Sequence, residues 1–314
     1  MAGTATQGKS SVICSGAYAG CVRSIALIGW PYDLGYRGVG MGLGAQLLFD
    51  DQDLRDALAV HAAHVSVETV DPVDERTGEL ARIFELDRRL ATAVAMQREA
   101  GRFPLVLAGN CISCVGTVGG CGGGRRLGVM WLDAHADFDT PEDNLSGYSD
   151  VLGLSILTGS AWPALRRTVP GLEPVVERNV ILAGTRDLVP YQRDRLARSD
   201  VTVVPGRIDR GAFARAVGRL RERVGRVYLH VDLDVLDTGV GRANAYATPG
   251  GPDLDAVVDH IGRTFASFQV QAAAITAYDP ACDPNRQILV AARQIATTIA
   301  SAATGKASEQ RYCR

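Results

Sequence analysis

Short apolar runs alternate along this chain with longer stretches in which apolar residues recur at helical spacing. The short runs predict β-strands, and the longer amphipathic stretches predict helices. The predicted strands cover residues 24–30, 65–70, 104–109, 127–133, 179–184, 201–204, 226–232 and 270–276. The predicted helices cover residues 44–58, 79–100, 190–199, 212–224, 254–268 and 286–302. This alternation is typical of a parallel sheet with helices on both faces.

The order of elements predicts one domain of the α/β class over residues 24–305. No linker rich in proline and serine divides the elements, and no repeat period is present. Residues 1–23 are predicted to be a poorly ordered N-terminal extension, and residues 306–314 a C-terminal tail. In open parallel sheets ligands bind beyond the carboxyl ends of the strands, so the functional residues are expected there.

Composition narrows the function classes. The 314 residues are 46% hydrophobic and 22% charged, and the formal net charge of −2 gives no reason to expect nucleic acid or an anionic membrane as partner. No apolar run is long enough to span a bilayer, and the first residues lack the pattern of a secretory signal. The seven cysteines are not spaced as a disulfide framework, so the reducing cytoplasm is the expected location. The sequence permits an oligomer without specifying one.

Two acidic motifs stand at predicted strand ends. Asp133, His135 and Asp137 follow one strand, and Asp232 and Asp234 follow another. Alternate residues of a strand point to the same face, so each motif can direct several side chains at one point. A single aspartate there is usually a helix cap, but four carboxylates together would repel each other unless cations neutralised them. Oxygen-rich ligation with one imidazole suits Mn²⁺, so we predict a metal centre of two ions.

The segments around these motifs resemble the arginase (ureohydrolase) family. The similarity extends from about residue 24 to the last helix and is strongest at residues 28–31, 37–44, 131–142, 184–187, 230–237 and 248–251. The resemblance implies a three-layer αβα fold with a central, mostly parallel sheet. It also implies a small guanidino substrate and two Mn²⁺ per chain, with a bridging hydroxide that attacks the guanidinium carbon.

The resemblance also assigns the ligands residue by residue. Asp133 and Asp232 would bridge the two metals, and Asp137 would bind the first metal and take part in catalysis. His135 and Asp234 would bind the second. Two cations that share a water lower its pKa and stabilise the charge that develops in the reaction, so the implied ligand set is chemically sound.

Cys111 is a departure from the family pattern. It stands where the family places a histidine ligand of the first metal, directly after a predicted strand. A thiolate can replace an imidazole on a borderline metal. The alternative is a buried, inert thiol, which is common for cysteine. The position at a strand end favours Cys111 as a ligand.

Asp150 is a second departure. It occupies the position of the family histidine that passes a proton to the leaving amine, and no histidine lies between His135 and His230. Asp150 could protonate the leaving nitrogen if its pKa is raised, or it could cap a helix that begins at Val151. Both interpretations are open. A leaving group that needs little acid assistance, such as a hydroxylamine-type nitrogen, fits this change.

The residues that would hold the substrate are altered as well. Ala277 replaces the glutamate that clamps the guanidinium, and Val189 replaces an aspartate that meets the α-amino group. Asp139 replaces an asparagine and would attract an amine instead of a carboxylate. Ser146 is retained and Asp187 matches in position, so Asp139, Ser146 and Asp187 are the candidate substrate-binding residues. Losing a charge-assisted contact costs about 1.5–3 kcal/mol, so ordinary L-arginine is not the expected substrate.

The first hypothesis is therefore a Mn²⁺-dependent hydrolase of a modified guanidino compound, with Nω-hydroxy-L-arginine first. Cys111 and the missing histidine are similar to the Nω-hydroxy-L-arginine hydrolase of D-cycloserine biosynthesis, a member of this family. A second hypothesis is a hydrolase of another guanidino acid or amine, which Val189 and Asp139 favour. A third is a catalytically inactive homologue that keeps its metal, which Ala277 favours.

Two weaker signals remain. The glycine-rich residues 119–124 lack the lysine of a phosphate-binding loop, so a flexible turn is predicted there. His230 shares a strand face with Asp232, and it either supports the metal ligands or simply packs in the core.

Overall fold

A computed structural model describes residues 24–305 of the chain. The predicted extension 1–23 and tail 306–314 lie outside these residues. The strands are β1 Ser24–Trp30, β2 Tyr32–Asp33, β3 Tyr36–Arg37, β4 His64–Thr69, β5 Phe103–Ala108, β6 Leu127–Leu132, β7 Val180–Ala183, β8 Thr202–Val204, β9 Arg226–Asp232 and β10 Gln269–Thr276. The helices are α1 Gly40–Asp50, α2 Gln52–His61, α3 Glu79–Glu99, α4 Cys114–Cys121, α5 Gly153–Thr158, α6 Pro163–Arg166, α7 Pro190–Ala197, α8 Arg210–Arg221, α9 Leu254–Ser267 and α10 Gln287–Ala303.

A sheet of eight strands, all parallel, forms the centre in the order β4-β1-β5-β10-β9-β6-β7-β8. The predicted three-layer α/β fold is confirmed, and the sheet is parallel throughout. Strands β5, β10, β9 and β6 are the four in the middle. Both acidic motifs therefore lie at the carboxyl end of the middle of the sheet, which is where α/β proteins place their ligands.

Both faces of the sheet are buried, as the near-continuous apolar strands require. Along β1, Ile25 and Leu27 belong to one buried apolar cluster, whereas Ala26 and Ile28 belong to the other. Buried residues of α2, α8, α9 and α10 complete the first cluster. Those of α3, α4 and α5 complete the second. Within residues 24–305, no helix combines the length and the apolarity needed to cross a bilayer.

The prediction of one continuous helix over residues 44–58 is wrong. The chain forms two helices there, α1 and α2, separated at Asp51. The Asp51 carboxylate accepts a hydrogen bond from the Leu54 amide at 3.0 Å, which caps α2. Arg293 on α10 also contacts this carboxylate at 2.6 Å. This partner is remote in sequence, so the periodicity of the segment could not reveal the break.

The prediction of a flexible turn over residues 119–124 is wrong for its first residues, because Gly119 and Gly120 belong to helix α4. Their small size serves close packing of α4 on α3. A Cβ at Gly116 would lie 2.6 Å from the carbonyl oxygen of Asp87, and one at Gly120 would lie 2.5 Å from the Cβ of Val94. The glycines therefore permit a close helix–helix contact, although they lower intrinsic helix propensity.

Candidate metal centre and active site

The first acidic motif begins where β6 ends. The Asp133 amide donates to the carbonyl of Ala183 at 3.0 Å, so the chain still follows the sheet at this residue. The buried carboxylate of Asp133 accepts from Trp131 Nε1 at 2.8 Å and from the His135 amide at 2.6 Å. These bonds fix the orientation of the carboxylate before any ligand binds, which is the preorganisation that a metal site needs.

The second motif lies beside the first, because β9 and β6 are neighbouring strands of the sheet. Asp232 accepts from the Asp234 amide at 2.7 Å, and Asp234 accepts from the Ala134 amide at 3.3 Å. His135 Nδ1 lies 3.4 Å from Asp133 Oδ1 and 3.3 Å from Asp234 Oδ2. One potential ligand atom from each of Asp133, His135 and Asp234 lies within 4.8 Å of the others. The structure thus brings the two motifs to a single point.

Asp137 lies near this point and has an unusual backbone conformation. Its φ is 46°, in the left-handed region that side chains other than glycine rarely adopt, and its carbonyl accepts from the Leu154 amide at 2.9 Å. Such conformations cost on the order of 1–3 kcal/mol and concentrate at functional sites. The side chain is buried beside Asp133 and Asp150, which influence its ionisation.

The carboxylates at this point are buried close together, and bound cations would stabilise their charges. Burial, and next the neighbouring carboxylates, raise the pKa of Asp133, Asp137 and Asp232 above the ordinary range. Burial also disfavours charge on His135 and Asp234, yet their mutual attraction raises the pKa of His135 and lowers that of Asp234. Carboxylates that repel each other in a dry site become stable anions when divalent cations bind. The residues present therefore fit the two metals that the sequence predicted.

Cys111 lies on the other side of this cluster. It begins a 3-10 turn, Cys111–Ser113, just beyond β5, and its Sγ donates to Asp232 Oδ2 at 2.9 Å. The Thr276 hydroxyl at the end of β10 lies 3.1 Å from the same sulfur. Burial, followed by the negative charge of Asp232, raises the pKa of the thiol well above its ordinary value. The thiol can become a thiolate here only beside a cation, so its position fits the predicted ligand role.

Asp150 lies in the 3-10 turn Ser149–Leu152 and faces the turn that carries Cys111. Its Oδ1 accepts from the Ile112 amide at 2.7 Å. Asp150 thus holds the Cys111 turn through a contact that is remote in sequence, and helix α5 begins only at Gly153. Burial is the main cause that raises the pKa of Asp150 to about 7. Its catalytic role stays a prediction.

The predicted substrate-binding residues lie at different places. The carboxylate of Asp139 is buried and accepts from Tyr191 Oη at 2.9 Å and from Gln192 Nε2 at 3.0 Å. Ser146 is exposed and donates to Asn144 within its own loop at 2.7 Å. The Asp187 side chain is 56% exposed, and its Oδ2 lies 3.9 Å from His135 Nε2. Within residues 24–305, Asp187 is therefore the one of the three predicted residues whose side chain approaches a candidate metal ligand, His135.

Two supporting residues escaped the sequence reasoning. Asn244 donates to Asp234 Oδ2 at 3.1 Å and to the Ala277 carbonyl at 3.0 Å. The Arg186 guanidinium donates to carbonyls in three loops, among them those of Gly184 at 3.0 Å, Asp234 at 2.8 Å and Thr248 at 2.8 Å. No spacing rule identifies such residues, because their partners are backbone groups and side chains of other loops.

Arg186→Lys is expected to destabilise the protein by about 2 kcal/mol, because an ammonium cannot reach the carbonyls that the planar guanidinium joins. Arg193 on α7 is exposed, so Arg193→Lys serves as the matched control. Denaturant unfolding of both variants measures the effect. Equal stability of the two variants would show that Arg186 does not hold the loops together.

Comparison with known proteins places these features in a family. The model of the arginase family matches residues 23–301. The arginase of Bacillus caldovelox is 32% identical over 236 residues, covering 69% of this chain and 77% of the relative. The arginase of Brevibacillus brevis is 31% identical, covering 68% and 76%.

Solved structures share the fold. The structure of Bacillus caldovelox arginase matches with a TM-score of 0.76 at 24% identity, covering 90% of this chain and 98% of its own. The formimidoylglutamase of Bacillus subtilis matches with a TM-score of 0.68 at 17% identity, covering 91% and 88%. At these identities the structural matches establish the architecture alone.

Proposed function

Because this chain belongs to the arginase family, we propose that it hydrolyses a C–N bond of a guanidino compound, with Nω-hydroxy-L-arginine as the first candidate substrate. The observation that carries the proposal is the convergence of Asp133, His135 and Asp234 at the carboxyl end of the sheet. Two bound divalent cations, Mn²⁺ in this proposal, would supply an activated water and stabilise developing charge.

The chain's own residues divide between the two cations. Asp133 and Asp232 come from the two motifs and would contact both, since each lies close enough to the other motif for its charges to act on it, Asp234 on Asp133 and Asp133 on Asp232. Asp137 and Cys111 would complete the first position, and His135 and Asp234 the second. This division uses the buried acids, imidazole and thiol described above and leaves each beside a cation.

Asp150 is the proposed proton donor to the leaving nitrogen, and its support is its place in the fold. It is buried against the turn that carries Cys111, and Asp33 and Asp133 influence its ionisation. A carboxyl group held next to the reacting centre can deliver a proton without a histidine.

Two tyrosines would offer aromatic faces to a planar substrate. The Tyr148 and Tyr246 ring centroids lie 5.9 Å apart, so the two rings contact each other. The Tyr148 hydroxyl accepts from Asn110, the neighbour of Cys111, and the Tyr246 amide donates to Asn244, which bonds to Asp234. Aromatic faces bind planar guanidinium groups by cation–π contacts, so this pair suits the guanidino end of the substrate.

One observation favours the second candidate, a guanidino acid or amine without an amino-acid head group. The carboxylate of Asp139 is already occupied by Tyr191 and Gln192. Val189, at the position of the family aspartate, is 45% exposed and offers no charge to an α-amino group. Asp187 is then the available anion for an amine.

The test is release of urea-type products from a panel of guanidines, measured with and without added Mn²⁺. The panel contains Nω-hydroxy-L-arginine, L-arginine, and guanidino acids and amines that lack the amino-acid head group. We expect Mn²⁺-dependent turnover, with Nω-hydroxy-L-arginine above L-arginine. Turnover of the simpler guanidines alone would select the second candidate. Absence of turnover by protein loaded with two metals would select the inactive homologue.

Ala277→Glu is expected to raise kcat/KM for L-arginine relative to Nω-hydroxy-L-arginine by about 10- to 100-fold, because a new carboxylate would bind the unsubstituted guanidinium with about 1.5–3 kcal/mol. Asn244 donates to both the Ala277 carbonyl and Asp234 Oδ2, so residue 277 lies one side chain away from the Asp234 ligand position. The matched control is Ala281→Glu at an exposed position. An unchanged ratio in a folded, metal-loaded Ala277→Glu variant would show that this position does not govern selectivity.

A further inference from the structure

His230 lies two residues before the proposed ligand Asp232, on the same face of β9. In the sheet it is paired with Trp131 of β6 on one side and with Ala274 of β10 on the other. The imidazole is fully buried and stacks on the Trp131 ring at 3.7 Å between centroids and 15° between planes. The small side chain of Ala274 leaves room for the imidazole, and Trp131 fixes its plane.

The two ring nitrogens have different partners. Nδ1 lies 2.8 Å from the Tyr228 hydroxyl, which is buried deeper in the core, and Nε2 lies 3.3 Å from the Thr276 hydroxyl near the site. A nitrogen of His230, the sulfur of Cys111 and a carboxylate oxygen of Asp133 all lie within 4.8 Å of one another. This spacing is small enough for three donors to share one ion.

A histidine binds a metal through the lone pair of a neutral imidazole nitrogen, and Nε2 of the buried His230 ring lies on the side of Thr276, near the site. When Nε2 binds a metal, the proton resides on Nδ1, which then donates to the Tyr228 hydroxyl. A hydrogen bond to the other nitrogen is the usual support of a histidine ligand, because it sets the tautomer and the ring orientation.

We propose that His230 binds the first metal together with Cys111 and Asp133, and that this donor set selects Zn²⁺ at that position while the second position keeps Mn²⁺. The inference rests on the proposed two-metal function and replaces one of its two Mn²⁺ ions with Zn²⁺. Thiolate and imidazole donors suit Zn²⁺, which binds Cys, His and Asp in compact geometry. The second position has carboxylates and one imidazole, His135, which suit Mn²⁺.

The experiment dialyses metal-free protein against Mn²⁺ in large excess over Zn²⁺, because Zn²⁺ outcompetes Mn²⁺ for most donor sets at equal concentrations, and counts bound metals by elemental analysis. We expect about one Zn²⁺ and one Mn²⁺ per chain. In His230→Gln, Zn²⁺ affinity should fall by more than the roughly 10- to 100-fold that loss of a supporting contact causes. The Zn²⁺ affinity of Tyr228→Phe should fall by an amount within that range. His64→Gln is the matched control, since His64 is exposed on β4.

A second measurement needs no variant. X-ray absorption at the zinc edge of the mixed-metal wild type should show one sulfur and one imidazole donor on Zn²⁺. A zinc shell without imidazole, or two Mn²⁺ and no Zn²⁺, would overturn this inference while leaving the two-metal function intact. Protein that binds neither metal would overturn both. Wild-type Zn²⁺ affinity in a folded His230→Gln variant would overturn the inference alone.

Discussion

Asp232→Asn is expected to lower hydrolysis by at least about 10³-fold and, at the same time, to make the metal-free protein more stable. In the proposed site Asp232 is one of the two residues that would contact both metals, so its loss would remove a contribution of several kcal/mol to transition-state stabilisation. Without metal the carboxylate is only a cost, because it is buried next to Asp234 and Asp133. Asparagine keeps the acceptor for the Asp234 amide and can donate to Cys111.

Metal content, turnover and thermal unfolding measure the two effects on one preparation. Asp255→Asn is the control, since Asp255 is exposed on α9. Opposite signs for activity and metal-free stability are characteristic of a ligand carboxylate. A variant that loses activity and metal-free stability together would identify Asp232 as a structural residue instead.

Asp87→Asn is expected to stabilise the protein, on the order of 3 kcal/mol at pH 7, without changing turnover. Asp87 is fully buried on α3. Its carboxylate has no well-formed hydrogen bond within residues 24–305, and the weak attraction of the Gly116 amide does not offset burial. Burial raises the pKa of this carboxyl group well above its ordinary range. When folding raises the pKa of a group, protonating that group in the folded state stabilises the protein. This contribution to the free energy of unfolding is fully present below the unfolded pKa, near 4, and is lost as the pH rises toward the folded pKa.

The pH dependence provides the test for Asp87. The stability difference between Asp87→Asn and wild type should be small at about pH 4 and should grow by up to about 1.4 kcal/mol per pH unit above it. Denaturant unfolding at several pH values measures this difference. Asp194→Asn, at an exposed position on α7, is the control. A difference that does not change with pH would mean that Asp87 has a partner that satisfies its charge.

Much of the fold was predictable because the strands are short, apolar and buried on both faces. The predicted strands over 24–30 and 226–232 match β1 and β9, and helix α9 differs from its prediction only at its last residue. The failures depend on tertiary partners. Arg293 of α10 contacts the aspartate that separates α1 from α2, and α4 tolerates its glycines because α3 lies against them.

The meeting of the candidate metal ligands was predictable because they follow strands at alternating spacing. Asp133, His135 and Asp234 meet as that spacing requires. The substrate-binding half was not predictable in the same way. Asp139 bonds to Tyr191 and Gln192 on another helix, and no pattern in the sequence anticipates that its carboxylate is already occupied.

In the proposed function, two divalent cations at this site drive hydrolysis of a guanidino compound. The most direct measurement determines metal content by elemental analysis and urea-type product release on one preparation. We expect about two divalent cations per chain, and turnover that disappears with chelation and returns with Mn²⁺. Protein that holds two metals per chain and turns over no guanidine would contradict it.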